Sequence, residues 1–251
     1  INLDLPLLHL RALPGDPLFE GSMSAVIEKA REELNALQDG GVDGILIANE
    51  FSLPYEKKVS YVTVAAMGRI VGELARDIRV PFGVNIVSNP LATIDLAAAT
   101  GASFVRSTFT GAYIGENGIT DTHIPETLRR KDALVLHDLK LLFKVNPESD
   151  VYMAERSLEK ITKSMIFHCF PDGLCVSGAS AGSETDSSLV TRVKNVAGDI
   201  PVFCNTGCTK DNIAEKLSQS DGACVGTAFK KDGKFENRVD VNRVKEFMQV
   251  G

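Results

Sequence analysis

The sequence predicts an α/β fold, a (β/α)8 TIM barrel formed by a single domain. Eight short apolar runs alternate with amphipathic helical segments, and the turns before four of these runs resemble one another. The chain has 251 residues, and eight strand–helix units of about 30 residues each are typical of such a barrel. No linker or low-complexity tract divides residues 1–251. A doubly wound open sheet is the main alternative.

The eight runs are apolar on both faces, as parallel strands covered on both sides should be. They span residues 3–10, 42–49, 81–88, 103–109, 133–141, 172–178, 201–207 and 222–229. The recurring turns VDG, TGA, PDG and SDG begin at residues 42, 100, 171 and 220. A small-residue turn that recurs at the helix-to-strand junction indicates a repeated structural unit.

Helical segments with recognisable ends fill the gaps between the runs. The segment 23–41 has Ser22 before it as an N-cap candidate and ends at Gly40-Gly41. The helix after the fifth run is predicted to open on Ser149-Asp150, and two short later helices on Thr209 and Asp240.

The connection after the fourth run, residues 110–130, is unusually long and contains several glycines. Connections of this length often form lids or binding loops over an active site. A plain surface excursion is the alternative.

Composition excludes several classes of protein. The net charge is −6 and no window is rich in Lys and Arg, so we expect no nucleic-acid surface. The sequence has no stretch of about 18 apolar residues that could form a transmembrane segment. It also has no signal-peptide pattern at its start, so we expect a cytoplasmic protein. The five cysteines, an odd number mostly in apolar runs, predict buried reduced thiols rather than a disulfide framework.

The turns after the last three runs predict a phosphate site, because ligands bind at the carboxyl ends of barrel strands. Each turn is small and contains glycine, which lets main-chain N–H groups approach an anion. Gly226 would leave room for a phosphate oxygen, Thr227 would donate to it, and Lys230 would add charge or be solvated. Tight corners without a ligand are the alternative. The predicted phosphate-binding residues are Ser177, Gly178, Thr206, Gly207, Gly226 and Thr227.

The fifth run suggests a reaction centre. Alternation places Asp138 and Lys140 on one face, where they form either a catalytic pair or a buried ion pair. Arg106 and Asn85 are predicted to orient the substrate. His9 is predicted either as a catalytic histidine or as a hydrogen-bonded core residue. We predict no metal site, with convergence of Asp138, Glu50 and His9 as a minor alternative.

Motifs along the whole chain resemble the BtpA/SgcQ family: LPLLHLRALPGDPLFEGS, GGVDGILIAN, PFGVNI, LAAATGASFVRS, TGAYIGENGI and VGTAFKKDG. The resemblance implies a TIM barrel akin to ribulose-phosphate-binding barrels, in a family named for photosystem I biogenesis whose chemistry is poorly defined. This chain departs from the family at Ala48-Asn49, where Glu-Asn is common, and at Lys140, where His is common. These departures imply divergent specificity or lost activity.

Two functions remain open. The first is an enzyme, a lyase, isomerase or hydrolase, that binds and acts on a phosphorylated small metabolite, either a sugar phosphate or a nucleotide-derived compound. The second is a non-catalytic assembly or binding factor that keeps the barrel and its anion pocket. We expect no cofactor, a phosphate or sulfate ion as an occupant of the site, and a homo-oligomer as one possible state.

Overall fold

The computed structural model describes residues 3–179 and 182–250, and its strands form a closed barrel and a small separate sheet. In chain order the strands of this described part are β1 (Leu3–His9), β2 (Ile45–Ala48), β3 (Phe82–Asn85), β4 (Phe104–Ser107), β5 (Ala112–Gly115), β6 (Gly118–Asp121), β7 (Lys140–Lys144), β8 (Val151–Tyr152), β9 (Gly173–Val176), β10 (Val202–Cys204) and β11 (Gly222–Val225). The barrel order is β1-β11-β10-β9-β7-β4-β3-β2, and all neighbouring pairs are parallel. The predicted (β/α)8 barrel is confirmed.

Helices surround the barrel and cover the outer face of its strands. They are α1 (Met23–Asp39), α2 (Tyr61–Leu74), α3 (Pro90–Thr100), α4 (Ile124–Ala133), α5 (Leu158–Cys169), α6 (Ser187–Ala197), α7 (Ile213–Leu217) and α8 (Val241–Met248). The side chain of Ser22 caps α1, and that of Asp240 caps α8, as predicted. The helix expected at Ser149 begins instead after Ser157, because residues 151–152 form β8. Helix α7 begins after Asn212 rather than after Thr209.

The fifth barrel strand, β7, lies further along the chain than predicted. The expected strand was 133–141, whereas α4 extends to Ala133 and β7 runs from Lys140 to Lys144. Val135 has a φ of 57°, which no strand allows. Leu134 and Leu136 made the run look like a strand because they pack as part of the connection against the core. This register error changes which side chains reach the barrel mouth.

The recurring turns at the amino-terminal end of the barrel have a specific structural role. Asp43, Asp172 and Asp221 stand in the VDG, PDG and SDG turns. Each carboxylate accepts a main-chain N–H of the neighbouring strand, from Asp4 at 3.3 Å, Leu141 at 2.9 Å and Val202 at 2.8 Å respectively. These aspartates therefore join adjacent strands where the regular strand pairing begins.

The long connection 110–130 forms part of the small sheet rather than an irregular loop. The hairpin of β5 and β6 pairs with β8 in an antiparallel sheet. Tyr113, Thr120 and Asp121 of this sheet line the cavity at the barrel mouth. The connection therefore lies at the cavity mouth, where a lid or binding loop is expected, and its role as a lid stays a prediction. We call the sheet of β5, β6 and β8 the lid sheet.

The five cysteines are free and buried, as predicted. No helix within the described ranges has the length and apolar character needed to cross a membrane.

Candidate functional site

A cavity of about 700 Å³ opens at the carboxyl-terminal end of the barrel. Its walls come from the ends of the barrel strands, the loop 50–60 after β2 and the lid sheet. The side chain of Lys57 donates to the carbonyl of Ile119, which joins the loop after β2 to the lid. The cavity lies where ligands of this fold bind.

Strand alternation explains which side chains form the base of this cavity. An apolar cluster fills the barrel interior below it: Leu5, Leu7, Leu46, Phe104, Leu142, Cys175, Phe203 and Cys224. Alternate residues of a strand point to the same face. The residue two positions after the last cluster member of a strand therefore also faces inward, at the level of the cavity. These residues include His9, Arg106, Lys144, Ser177, Asn205 and Gly226. Asn85 also faces inward, because Gly83, two positions before it, pairs with the cluster members Leu46 and Phe104.

A hydrogen-bonded network of charged and amide groups crosses the base of the cavity. Arg106 Nη1 donates to Asn205 Oδ1 at 2.7 Å, and Asn205 Nδ2 lies 2.9 Å from Glu148 Oε1 and 2.8 Å from Ser177 Oγ. Glu148 also pairs with Lys144, with 2.7 Å between Nζ and Oε2. The network connects the ends of β4, β7, β9 and β10 and holds these groups in fixed positions.

The charges in the network set the protonation of its members. Burial alone would raise the pKa of Glu148, but Lys144 and then Arg106 outweigh it and lower that pKa to about 2. Burial also opposes the charge of Arg106, yet neighbouring Cys224 and Glu50 raise the pKa of its guanidinium. At neutral pH, Glu148 is therefore a carboxylate and Arg106 a cation.

A second charged pair lies beside this network. Glu50 Oε1 is 3.8 Å from Arg106 Nη2. The Tyr55 hydroxyl donates to Glu50 Oε2 at 3.0 Å, and burial together with Glu50 raises the pKa of that hydroxyl. Tyr55 therefore stays protonated and positions the Glu50 carboxylate at the cavity wall.

His9 is a buried, neutral imidazole against Gly226. Burial and the positive charges of Lys230, Arg106 and Arg11 lower the pKa of His9 well below its ordinary value. A Cβ at Gly226 would lie only 2.9 Å from His9 Cε1, so a larger residue at 226 would displace the ring. The room that Gly226 provides is occupied by His9, and the expectation that a phosphate oxygen fills it is wrong.

The glycines of the other two predicted turns also make room for protein. A Cβ at Gly178 would lie 2.6 Å from the carbonyl oxygen of Ser183, and one at Gly207 would overlap Glu184. The N–H of Gly178 donates to Thr206 Oγ1 at 2.6 Å, so these two groups bind each other. Residues 180–181 of the predicted turn 177–182 lie outside the described residues. For Gly178 and Gly207, the tight-corner alternative fits the structure.

The same turns still present anion-binding groups. Among the described residues, none accepts a hydrogen bond from the main-chain N–H groups of Gly207, Thr227 and Ala228. All three residues line the cavity. The turns after β9 and β11 meet, because a Cβ at Gly182 would lie 3.9 Å from Thr227 Oγ1. Arg243 of α8 adds a guanidinium, held by its Nε to the carbonyl of Ala228 at 2.9 Å.

Lys230 is not part of this anion-binding surface. Its Nζ lies 2.7 Å from Glu33 Oε2 of α1, and both side chains are buried. Neither predicted role of Lys230, added charge for a phosphate or a solvated side chain, is correct. Its side chain runs from the turn after β11 back to α1, away from solvent.

Asp138 and Lys140 do not reach the site. Asp138 lies in the exposed turn before β7, and Lys140, the first residue of that strand, has a side chain 62% exposed beside Asp172. Both stand at the amino-terminal end of the barrel, so the predicted catalytic pair is wrong. It followed from the misplaced strand. Reading the apolar run LLF (141–143) as the strand would have placed Lys144 at its carboxyl end.

Asn205 and Glu148 were also missed from the sequence. Asn205 precedes the predicted Thr206 and follows Phe203 by two residues, a spacing that identifies an inward position. Glu148 lies in the loop after β7, where no periodicity points to it. No group of three or more His, Cys, Asp and Glu side chains suited to a metal ion occurs in the described part of the chain. Asp138 lies at the other end of the barrel from His9 and Glu50, so these three residues do not converge.

Comparison with known proteins identifies the family. The sequence profile described as the BtpA family matches residues 4–251. The chain belongs to the BtpA family. It is 50% identical to the putative sgc region protein SgcQ of Escherichia coli, across 98% of this chain and 92% of that protein. It is 30% identical to the photosystem I biogenesis protein BtpA of Synechocystis, across 99% of this chain and 88% of that protein.

Solved structures share the fold at low sequence identity. One is (S)-3-O-geranylgeranylglyceryl phosphate synthase from Thermoplasma acidophilum, in complex with its substrate sn-glycerol-1-phosphate. Its TM-score is 0.60 at 15% identity, and the match covers 98% of this chain and 92% of that one. The similarity supports the barrel assignment for this BtpA-family chain.

Proposed function

We propose that this chain binds a phosphorylated small metabolite in the cavity at the barrel mouth and acts on it. The observation that carries the proposal is the set of main-chain N–H groups at Gly207, Thr227 and Ala228, which no acceptor of the described residues binds, beside the Arg243 guanidinium. Several N–H groups beside one cation are typical of a phosphate site. The turns after the seventh and eighth strands hold phosphate in many barrels of this class.

The proposed site differs from the one expected from the sequence. Thr227 remains a phosphate ligand, through its hydroxyl and N–H, and Gly207 through its N–H. Gly178, Thr206 and Ser177 support the walls through hydrogen bonds within the protein. Gly226 acts indirectly by admitting the His9 ring.

The network at the base of the cavity is the proposed reaction centre. Lys144 and Glu148 form a proton-transfer pair, in which Glu148 is a carboxylate and accepts hydrogen bonds. His9, Asn85 and Arg106 face the same space and orient the substrate. Proton transfer beside a stabilising guanidinium is the chemistry of isomerases and lyases, so we favour these reaction classes over hydrolysis.

The structural comparison adds support of a limited kind. The synthase from Thermoplasma acidophilum binds a glycerol phosphate on the same fold. A phosphorylated ligand in this barrel is consistent with that precedent.

A second candidate function is a non-catalytic assembly factor. The lid sheet carries three apolar cross-strand neighbours, each at least half exposed: Ile119, Ile114 and Val151. An apolar row on an exposed sheet face is typical of a protein-binding surface. The relative from Synechocystis is named for photosystem I biogenesis, which agrees with this alternative. It predicts no turnover and a partner interaction that survives substitutions in the cavity.

A thermal-shift screen against inorganic phosphate, sulfate, sugar phosphates and nucleotides tests the proposal. A ligand that binds only the folded state raises the melting temperature by mass action. We expect phosphorylated compounds to raise the melting temperature of the wild type. The shift should fall sharply in Thr227→Val, which loses one hydroxyl, and in Arg243→Ala.

Lys245→Ala is the matched control, because Lys245 is an exposed cation on the same helix as Arg243. A shift that all three variants retain in full would place the phosphate elsewhere. The absence of any shift at millimolar anion would favour the assembly factor.

A further inference from the structure

The cavity contains buried polar atoms that the protein itself leaves unpaired. In the part of the chain that the structure describes, His9 Nδ1, Asn85 Oδ1 and Arg106 Nε have no hydrogen-bond partner, although the three residues are only 6%, 3% and 3% exposed. An unpaired buried polar atom costs free energy of about 1–3 kcal/mol. Such atoms are rare in folded proteins. Three of them around one cavity indicate a ligand that supplies the missing partners.

Two of these residues lie on the neighbouring strands β3 and β4, and β2 separates them from the strand of the third, β1. His9 ends β1, Asn85 ends β3 and Arg106 lies in β4, and strand alternation turns all three inward. We call them the floor subsite. Each lines the same cavity as Gly207, Thr227 and Ala228, which follow β10 and β11. Asn85 and Arg106 lie across the barrel from these turns, whereas His9 ends β1, the strand beside β11. A ligand can therefore reach both sets of groups.

The hydrogen-bonding character of the floor subsite limits what it can bind. Arg106 Nε is a donor only, whereas the Asn85 amide and the neutral His9 imidazole each offer both donors and acceptors. A hydroxyl group both donates and accepts, so neighbouring hydroxyl groups satisfy such a mixed set. A carboxylate or a second phosphate only accepts and would leave acceptor atoms of the floor unpaired.

The charge around the floor subsite points to the same conclusion. Two cations, Arg106 and Lys144, face two carboxylates, Glu50 and Glu148. The charges of these four groups balance without a ligand. An uncharged, hydroxyl-bearing group therefore fits the floor better than an anionic one, while the anion-binding groups at the other side of the cavity accommodate the phosphate.

We propose that the floor subsite binds the hydroxyl groups of a sugar or sugar alcohol, which makes the ligand a sugar phosphate rather than a nucleotide-derived compound. The position of the phosphate, and hence the orientation of the ligand, rests on the function proposed above. Asn85 and His9 are then the residues that determine specificity for the sugar.

Binding measurements with separate probes for the two ends of the ligand test this inference. The probes are inorganic phosphate, pentose and hexose phosphates, the corresponding unphosphorylated sugar alcohols, and nucleoside monophosphates. The proteins are the wild type, Asn85→Leu and the control Lys245→Ala, with Asn85→Ala in place of Asn85→Leu should the latter not fold. Calorimetric titration gives a Kd for each pair.

We expect at least one sugar phosphate to bind the wild type at least about tenfold more tightly than inorganic phosphate, the factor that one net hydrogen bond supplies. Asn85→Leu should lose that gain and leave the Kd for inorganic phosphate within about twofold, because it does not alter the phosphate end. Equal affinity of Asn85→Leu and the wild type for every sugar phosphate would overturn the inference. So would tighter binding of nucleoside monophosphates than of any sugar phosphate.

The sugar alcohols distinguish this inference from the proposed phosphate site. If no phosphorylated probe binds but a sugar alcohol binds the wild type and not Asn85→Leu, the phosphate site is wrong and the floor subsite stands. If neither class of probe binds, both proposals are wrong.

Discussion

The two ends of the barrel use polar side chains in opposite ways. At the amino-terminal end, Asp43, Asp172 and Asp221 each accept a main-chain N–H of a neighbouring strand. At the carboxyl-terminal end, His9, Asn85, Arg106 and Tyr113 keep buried polar atoms that have no hydrogen-bond partner within residues 3–179 and 182–250. The three aspartates stabilise the fold, whereas these four unpaired groups destabilise it unless a ligand pairs with them.

This division explains how one barrel combines stability with a binding site. A paired buried polar group contributes a little to stability, whereas an unpaired one is destabilising. Unpaired groups are therefore expected where ligand binding is selected for. Of the six such atoms in the described residues, four belong to residues that line the cavity at the carboxyl end, and the other two are Asp4 Oδ1 at the amino-terminal end and Glu33 Oε1 in α1. Replacing a paired charged group should accordingly destabilise the fold at either end, whereas replacing an unpaired group at the carboxyl end should stabilise it.

The largest change in stability is expected at Lys230, which follows β11 at the carboxyl end and forms a buried ion pair with Glu33. Lys230→Met leaves the Glu33 carboxylate buried without its partner, so the free energy of unfolding should fall by about 3–5 kcal/mol. Urea unfolding at pH 7 measures the change. Lys231→Met, at the exposed neighbour, is the control and should have little effect. A loss as small as that of the control would mean that the ion pair does not form.

The next effect concerns the pH dependence of the site network. Because the folded-state pKa of Glu148 is lowered to about 2, its stabilising contribution is present above the ordinary carboxyl pKa and is lost as pH falls toward 2. Glu148→Gln should therefore be less stable than the wild type by about 3 kcal/mol at pH 7, and the difference should shrink at pH 3.

Urea unfolding at pH 7, 5 and 3 checks this prediction. Glu155→Gln, at an exposed position in the described chain, is the control and should show no such dependence. A difference between wild type and Glu148→Gln that stays constant over this pH range would rule out the proposed coupling to Lys144 and Arg106.

A smaller loss is expected at the amino-terminal end. Asp221→Ala removes the acceptor of the Val202 N–H and the partner of Lys194, which should cost about 1–2 kcal/mol of unfolding free energy. Ligand affinity should not change, because the cavity lies at the other end. Asp199→Ala, an exposed aspartate nearby in sequence, is the matched control. Ligand binding is measured by calorimetry at a temperature where Asp221→Ala is folded. Weaker binding than in the wild type would show that the amino-terminal end also affects the binding site.

The smallest effect has the opposite sign. Asn85→Leu replaces a buried side chain whose Oδ1 has no partner, so the free energy of unfolding should rise by up to about 1 kcal/mol. Differential scanning calorimetry without ligand gives the change. A clear loss of stability would show that Asn85 supports the fold, and the contrast between the two ends would not hold at this strand.

The sequence predicted most of the barrel because parallel strands buried on both faces leave a strong local signal. Seven of the eight predicted runs contain their observed strand. Polar residues in or at the ends of predicted strands also included His9, Asn85 and Arg106, which the structure places in the cavity; their roles stay predictions. The prediction of the fifth strand was wrong because residues 133–143 contain apolar residues of a loop followed directly by apolar residues of the strand. The sequence pattern does not distinguish the two.

The sequence by itself therefore determined the fold class, the family and the inward face of most strands, since these follow from residues close together in the chain. Only the tertiary structure decided that Gly226 makes room for His9 and that Lys230 pairs with Glu33 across 197 residues. It also decided that Lys144, rather than Lys140, belongs to the site. Such pairings depend on how separate segments approach one another in space, and no local pattern of residues encodes that approach.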